Sequence, residues 1–225
     1  MLRAIIFDCD GVIADTEPLH LAAFQRVLEE EGLILSREEY YERFLALDDR
    51  ACFTRVYEEN RRALSSDGLA ELIARKVGYM EPVMEERLRL FPGSAEFIRE
   101  ASSIYPLAVA SGALRREVEL ILKHGGVRDC FEAIVSAEDV GKGKPDPEPF
   151  LLARLLLSSA MGFDLEPEAC LVVEDSIHGI EAARRAGMRV LAVTNSYPKE
   201  ELTLADCIVD SLEGLSIGSL ESVFE

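Results

Sequence analysis

Near its start the chain runs Ile5-Ile6-Phe7-Asp8-Cys9-Asp10-Gly11-Val12, a short apolar segment followed at once by two acids and a glycine. A continuous apolar run is typical of a strand buried inside a parallel sheet, and the glycine lets the chain turn after it. Ligands of open parallel sheets bind beyond the carboxyl ends of the strands, which is where Asp8 and Asp10 fall. Acids and glycines are also common in ordinary turns, so the pair alone is compatible with a site or a simple turn.

Further apolar segments follow along the chain and alternate with helical patterns. The segments that we predict as buried strands are Ala4–Phe7, Leu107–Ala110, Ala133–Val135, Leu171–Val173 and Val190–Val193. The helical patterns that follow several of them are Ala113–His124, Pro149–Ser159 and Ile177–Ala186. Strands that alternate with helices form a parallel sheet with helices on both faces. The sequence therefore predicts an α/β fold built on a doubly wound parallel sheet.

One stretch, residues 15–90, departs from this alternation. It contains no convincing strand and carries helical periodicity in four segments, Leu19–Glu31, Arg37–Leu45, Arg50–Asn60 and Leu69–Arg89. A connection of about 75 residues is far longer than such a unit needs. We therefore predict a helical domain at residues 15–90, inserted after the first strand of a sheet domain made of residues 1–14 plus 91–225. Pro92 and Gly93 mark the return to the sheet domain.

The charge of the chain restricts its partners. Its 42 acids outnumber its 24 bases, which gives a formal net charge of -18. Such a surface repels nucleic acid and anionic membranes, so we expect neither as a partner. It also repels a phosphorylated metabolite unless a metal or local cations reverse the field in one pocket. Solubility alone is the simpler explanation of the charge.

The first apolar run argues against a secretory signal, because Arg3 interrupts it and Asp8 ends it. No later segment approaches the length of a membrane span. The five cysteines are scattered and lack metal-like spacing, which suits free thiols in a reducing compartment. We therefore expect a cytoplasmic protein. Nothing in the sequence specifies an oligomer, and we favour a monomer.

Three other predicted strands also end in chemically active residues. The second leads into Ser111-Gly112, a hydroxyl followed by backbone amides at a helix start, an arrangement that favours an anion. The third is followed by a stiff loop with two lysines, Lys142 and Lys144, and the sequence does not decide which of them points inward. The fourth leads into Glu174-Asp175. All of these groups belong to the same edge of the predicted sheet.

That edge therefore collects four carboxylates, a hydroxyl and a lysine: Asp8, Asp10, Glu174, Asp175, Ser111 and Lys144. Crowded carboxylates repel one another, and a hard divalent cation with oxygen ligands relieves the repulsion. The set suits Mg²⁺ and a phosphate, and it does not suit zinc, which takes His or Cys ligands. Phosphoryl transfer depends chiefly on positioning and charge neutralisation, which these groups supply. An aspartate is already ionised at neutral pH and needs no base to activate it as a nucleophile.

In these four ordered motifs, and over essentially its whole length, the sequence resembles the haloacid dehalogenase superfamily in its branch of phosphatases and β-phosphoglucomutases. The resemblance implies that Asp8 is the nucleophile, which forms an aspartyl-phosphate and binds Mg²⁺. It implies that Asp10 is the general acid and base, with its backbone carbonyl on the metal. The dehalogenases of the superfamily lack this second acid and need no magnesium, so Asp10 favours an enzyme that cleaves phosphate esters.

The same resemblance assigns the remaining groups of the sheet edge. Ser111 and Gly112 bind the transferring phosphoryl group, and Lys144 neutralises charge on the nucleophile and the phosphate. Glu174 and Asp175 complete the metal site. The helical insertion resembles the mobile cap of the family, which closes over the substrate and excludes water.

Three residues of the insertion resemble substrate-side residues of the family. His20 matches a histidine that helps to position the acid and base in β-phosphoglucomutases, and Lys76 is the candidate for its cap lysine partner. Arg50 resembles a cap arginine that binds the distal phosphate of a substrate. Arg50 and Lys76 are equally compatible with a solvated face of the cap. The segment Ser111-Gly112-Ala113 lacks the serine and lysine that follow in the mutases, which favours a phosphatase.

The residues and the resemblance together predict an enzyme, a Mg²⁺-dependent phosphoric monoester hydrolase. Its expected partner is a small phosphorylated metabolite such as a sugar phosphate, and the sequence does not specify which one. A sugar phosphomutase is the alternative of the same chemical class. A phospho-receiver signalling module is a remote alternative, because receivers also phosphorylate an aspartate on a parallel sheet but are shorter and lack such an insertion.

Overall fold

The computed structural model of the chain describes residues 1–44 and 47–220. The chain divides into two compact units. The sheet unit is formed by Met1–Asp15 and Arg89–Glu225, and the helical unit by Thr16–Leu88. The predicted helical segment Arg37–Leu45 ends outside the described residues, since Leu45 is not among them.

The sheet unit is built on parallel strands, which in the described residues are β1 (Ala4–Phe7), β2 (Leu107–Ala110), β3 (Ala133–Val135), β4 (Cys170–Glu174), β5 (Arg189–Val193) and β6 (Cys207–Val209). Their order across the sheet is β3-β2-β1-β4-β5-β6, and all neighbours are parallel. The predicted strands correspond to β1 to β5, with β4 and β5 slightly longer than expected. The sequence prediction missed β6, because three half-buried residues at the edge of a sheet are too few to form a recognisable pattern.

Helices occupy both units. Those of the helical unit are α1 (Glu17–Glu30), α2 (Arg37–Arg43), α3 (Asp49–Glu59) and α4 (Ser66–Arg87), and those of the sheet unit are α5 (Ser94–Ser102), α6 (Arg115–His124), α7 (Glu148–Met161), α8 (Ile177–Arg185) and α9 (Ile217–Leu220). Short 3₁₀ turns lie at Arg128–Cys130, Ala137–Asp139, Pro167–Ala169 and Lys199–Glu201. None of the helices among the described residues is both long enough and apolar enough to span a membrane.

The central strand β1 is buried on both of its faces. On one face Ile6 belongs to a core with Phe150 of α7 and Ile180 of α8. On the other face the ring of Phe7 meets the ring of Phe97 of α5 edge to face, with 6.1 Å between their centroids. Burial on both faces explains the continuous apolar run of the sequence. The predicted doubly wound α/β fold is confirmed.

The helical unit has a core of its own. The ring of Phe24 in α1 packs against the ring of Phe53 in α3, with 5.0 Å between the centroids. Ser36 and Glu39 form a capping box at the start of α2, and Asp48 caps α3 through the backbone N–H of Ala51. These caps satisfy N–H groups that a helix start leaves without partners. The helical insertion expected after the first strand is confirmed.

Candidate active site

The carboxyl ends of three neighbouring strands define the site. Because β1 lies between β2 and β4, the residues that follow these strands share one edge of the sheet. Asp8 directly follows β1, Ser111 directly follows β2, and Glu174 is the last residue of β4 with Asp175 after it. All four side chains are buried. Buried polar groups at the edge of a sheet must satisfy one another or a ligand.

Three of the predicted carboxylates form one group. Asp8, Glu174 and Asp175 each offer an oxygen, and these atoms all lie within 4.8 Å of one another. The side chain of Asp10 lies beside Ser111, whose Oγ donates a hydrogen bond to Asp10 Oδ2 at 3.1 Å. The structure therefore brings the predicted acids together in two parts, a three-carboxylate group and a neighbouring pair of acid and hydroxyl.

The lysine of the site is Lys144. Its Nζ donates hydrogen bonds to Asp8 Oδ1 at 2.6 Å and to Glu174 Oε1 at 2.7 Å. Its side chain is 13% exposed, whereas that of Lys142 is 75% exposed. The structure thus settles which lysine points inward, a choice that the sequence left open.

The loop that carries Lys144 is fastened to the start of α7. One carboxylate oxygen of Glu148, the first residue of α7, accepts the backbone N–H of Gly141 at 2.8 Å, and the other accepts that of Lys142 at 3.0 Å. The backbone N–H of Glu148 is in turn bound to Asp146 Oδ1 at 3.1 Å. Sequence reasoning missed Glu148, because an acid in the first turn of a helix is common for reasons of the helix dipole alone.

Glu174 is held by the chain that follows it. Its Oε2 accepts the backbone N–H groups of Asp175 at 2.8 Å and Ser176 at 2.7 Å, and the hydroxyl of Ser176 at 2.9 Å. A Cβ at Gly179 would lie 1.7 Å from Glu174 Oε1, so only glycine leaves room for this carboxylate. The orientation of Glu174 is therefore built into the start of α8.

Asp175 is held by the turn that follows β5. Ser196 Oγ donates a hydrogen bond to Asp175 Oδ2, and Asn195 Nδ2 donates one to the carbonyl of Gly11 at 2.7 Å. Gly11 has a φ of +81°, and a Cβ there would lie 1.8 Å from Asp175 Oδ2. Sequence reasoning missed Asn195 and Ser196. The available signal was their place directly after the fifth predicted strand, at the same edge of the sheet.

The charges of the group are unbalanced. Burial raises the pKa of Asp8 to about 7; the adjacent Lys144 acts against this, and the carboxylates of Glu174 and Asp10 add to it. Burial, followed by the charges of Glu174 and Asp8, raises the pKa of Asp175 well above its ordinary value. For Lys144, burial lowers the pKa, but Asp8 and Glu174 outweigh it and the net pKa is raised. One lysine against three carboxylates leaves negative charge, so an oxygen-liganded divalent cation such as Mg²⁺ fits this donor set.

A second polar cluster lies in the helical unit. Lys76 is 2% exposed, its Nζ lies 2.8 Å from His20 Nδ1, and it also forms an ion pair with Asp49. Desolvation of the ring, followed by the charge of Lys76, lowers the pKa of His20 to about 3. The solvated-face alternative is therefore wrong for Lys76. Arg50, at the second position of α3, is exposed as that alternative expects.

Comparison with known proteins identifies the family. Residues 5–193 match the family model described as haloacid dehalogenase-like hydrolase. The chain belongs to this family. Among members of the haloacid dehalogenase-like family, it is 32% identical over 221 residues to protein CbbY of Rhodobacter capsulatus, with 94% of each chain covered. It is 34% identical over 200 residues to a phosphorylated carbohydrates phosphatase of Thermotoga maritima, with 87% of each covered.

A solved structure of the family has the same fold over nearly all of the chain. The crystal structure of a CbbY variant from Rhodobacter sphaeroides, in complex with xylulose-(1,5)bisphosphate, matches with a TM-score of 0.84 at 30% identity and covers 98% of this chain and 99% of that one. The predicted resemblance and the prediction of a phosphoric monoester hydrolase are confirmed. Family membership also decides between the hydrolase and the phospho-receiver alternative, in favour of the hydrolase.

Proposed function

We propose that the chain is a Mg²⁺-dependent phosphatase that transfers the phosphoryl group of a small phosphomonoester first to Asp8 and then to water. The observation that carries the proposal is the setting of Asp8. This carboxylate directly follows the central strand, and its Oδ1 lies 2.6 Å from Lys144 Nζ. One oxygen each of Asp8, Glu174 and Asp175 lie within 4.8 Å of one another. A buried carboxylate beside a lysine and two further acids suits a nucleophile that works on a phosphate held near a cation.

The residues that would hold the magnesium ion are Asp8, Glu174 and Asp175, with the backbone carbonyl of Asp10 as a further ligand implied by the family. Mg²⁺ bound there supplies charge neutralisation for the carboxylates and the phosphoryl oxygens. Glu174 and Asp175 are already oriented by hydrogen bonds from the protein. Prearranged ligands of this kind lower the reorganisation that binding requires.

The first chemical step forms a bond between an Asp8 oxygen and phosphorus, while the bond from phosphorus to the ester oxygen breaks. Asp10 donates a proton to that leaving oxygen. In the second step water attacks the aspartyl-phosphate, Asp10 takes a proton from the water, and inorganic phosphate leaves with Asp8 restored. Ser111 supports both steps, because its Oγ accepts the N–H of Ala113 at 3.0 Å and donates to Asp10 Oδ2 at 3.1 Å, which orients the acid. Lys144 neutralises charge on Asp8 and the phosphoryl group, and Gly112 contributes a backbone N–H to the phosphate.

The substrate that we propose is a phosphorylated sugar. The support comes from relatives, since the protein of Thermotoga maritima is named for phosphorylated carbohydrates and the CbbY structure contains a bisphosphate of xylulose. We assign the helical unit the role of a cap that excludes water, with Arg50 as a contact to a distal phosphate. These assignments rest on the family resemblance.

A sugar phosphomutase is the second candidate, and one observation favours it. Lys76 Nζ lies 2.8 Å from His20 Nδ1. In β-phosphoglucomutases the resemblance implies such a pair, a histidine that helps to position the acid and base and a cap lysine that is its partner. In a mutase a sugar hydroxyl, in place of water, receives the phosphoryl group from Asp8.

Phosphorus NMR distinguishes these possibilities. The full chain is incubated with Mg²⁺ and a panel of sugar phosphates that includes a ketose bisphosphate and β-glucose 1-phosphate with a trace of bisphosphate. Catalytic release of inorganic phosphate supports the phosphatase, and a new sugar-phosphate resonance without free phosphate supports the mutase. The Asp8→Asn variant should be inactive, whereas Asp129→Asn, at an exposed position of the sheet unit, should match the parent. Appreciable turnover by Asp8→Asn would remove Asp8 from the role of nucleophile.

A further inference from the structure

The turn that follows β5 contributes two residues to the candidate site, and neither belongs to the four sequence motifs. β5 lies beside β4 in parallel register, with Glu174 opposite Ala192. The residues after Val193 therefore run alongside the residues after Glu174. This register is what brings Asn195 and Ser196 to Asp175 and Gly11, although they are distant from them in the sequence.

We infer that Ser196 is a positioning residue for the cation site. Asn195 supports this role by holding Gly11, which packs against Asp175. The inference rests on the proposed function, because it assumes that Asp175 binds the cation. The hydroxyl of Ser196 donates to Asp175 Oδ2. With that oxygen engaged by Ser196, Oδ1 is the oxygen that we assign to the cation. A second partner that holds one carboxylate oxygen fixes the direction of the other, and losing such a partner typically weakens metal binding by about 10–100-fold.

Asn195 acts on the same carboxylate through Gly11. Asp175 packs against Gly11 so closely that a Cβ at this glycine would lie 1.8 Å from Oδ2. The carbonyl of Gly11 accepts a hydrogen bond of 2.7 Å from Asn195 Nδ2. Asp175 thus contacts both the hydroxyl of Ser196 and a glycine that Asn195 holds by its carbonyl. Two neighbouring residues of one turn therefore constrain a buried acid, Ser196 directly and Asn195 through Gly11.

The test measures cation binding directly, without turnover. Free Mn²⁺ is followed by electron paramagnetic resonance as it is titrated with the purified full chain. Ser196→Ala should raise the Mn²⁺ dissociation constant at least about tenfold, and Ser196→Thr, which keeps the hydroxyl, should restore binding close to that of the parent. Asn195→Ala should change the constant in the same direction. Ser103→Ala is the matched control, because this exposed hydroxyl binds only the end of α5 through Glu100 in the hydrogen bonds that the structure describes for it.

The Asp175→Asn variant separates this inference from the proposed function. If Asp175→Asn binds Mn²⁺ as the parent does, the proposed cation site itself is wrong. If Asp175→Asn loses binding while Ser196→Ala keeps the affinity of the parent, the site stands and the role of Ser196 is refuted. Equal weakening by Ser196→Ala and Ser196→Thr would also refute it, because the hydroxyl would then not be responsible.

Enzyme kinetics supply a second readout for the same variants. A residue that orients a metal ligand and does not contact the substrate should raise the Mg²⁺ concentration that activity requires, while kcat at saturating Mg²⁺ recovers toward the parent value. A Ser196→Ala enzyme whose kcat stays low at saturating Mg²⁺, with unchanged Mn²⁺ affinity, would contradict the inference. Thermal unfolding of each variant verifies that it is folded under the conditions of the titration.

Discussion

Replacing Asp8 with asparagine should abolish turnover and, at the same time, stabilise the metal-free protein. The carboxylate is 7% exposed and shares its surroundings with Glu174 and Asp175. The negative charge of Asp8, which our proposal uses for nucleophilic attack, therefore costs folding free energy until a cation balances it. An asparagine has nearly the same shape and carries no charge, so it removes the cost together with the chemistry.

The size of the effect follows from the pKa of Asp8, which burial, as the largest cause, raises from 3.8 to about 7. The folded protein holds this proton to a higher pH than the unfolded chain does. The resulting stabilisation is complete below the unfolded pKa and is lost as the pH rises through about 7. A rise of this size corresponds to about 4 kcal/mol. That figure already includes the attraction of Lys144 for Asp8. Burying the asparagine amide with incomplete hydrogen bonding costs about 1–3 kcal/mol, so we expect a net gain of about 2 kcal/mol. This gain corresponds to roughly 4–8 °C in Tm for a chain of this length.

Thermal unfolding in the presence of EDTA measures this gain. It should be larger at pH 8 than at pH 5, because at pH 5 the parent already carries a proton on Asp8 in the folded state. Asp129→Asn is the matched control, since Asp129 is exposed in the same unit and its variant should show no such pH dependence. Added Mg²⁺ should stabilise the parent more than the Asp8→Asn variant. A variant that unfolds at a lower temperature than the parent at pH 8, or whose gain does not change with pH, would refute the reasoning.

Three further substitutions test other contacts. Gly11→Ala should prevent cation binding, measured by the Mn²⁺ titration, because a Cβ would overlap Asp175 Oδ2 at 1.8 Å. Glu148→Ala should lower kcat/KM roughly tenfold with little change in Tm, measured by steady-state kinetics and thermal unfolding, because it releases the loop that carries Lys144, the lysine of the candidate site. Lys76→Met should reduce the free energy of unfolding by about 1 kcal/mol, since it removes the buried ammonium partner of Asp49, whose side chain is 33% exposed. It should also raise the pKa of His20 part of the way from about 3, which an NMR titration of the ring measures.

Each of these predictions has a matched control in the chain. Gly78→Ala adds a Cβ where no atom lies within 4 Å and should bind cations like the parent. Glu132→Ala removes an exposed acid from the sheet unit, and Lys123→Met an exposed lysine, so both should behave like the parent. The opposite results would contradict the roles that we assign to these contacts. They are retained cation binding in Gly11→Ala, unchanged kinetics in Glu148→Ala, and an unchanged His20 titration in Lys76→Met.

The sequence alone was sufficient for the fold, because the sheet is buried on both faces. Burial of that kind requires continuous apolar runs, and the run before Asp8 corresponds residue for residue to β1. Helical periodicity in residues 15–90 likewise predicted the helices of the insertion. The three-residue strand Cys207–Val209 escaped detection, because it is short and only half-buried.

The kinds of side chain that meet at the candidate site were also predictable, because these groups follow the carboxyl ends of parallel strands and the order of the motifs is visible in the sequence. Tertiary structure alone decided which groups touch. Lys144 and not Lys142 points inward, and Lys76 is buried against His20 although 56 positions separate them.

The sequence by itself thus determined the architecture and the kinds of chemical group at one edge of the sheet, since both depend on periodicity and on position after a strand. Only the tertiary structure decided that Ser196 and Asn195 hold Asp175 and Gly11. The register between β4 and β5 creates those contacts. A hydrogen bond between residues far apart in the chain depends on how strands are aligned in space, and no local pattern of residues records that alignment.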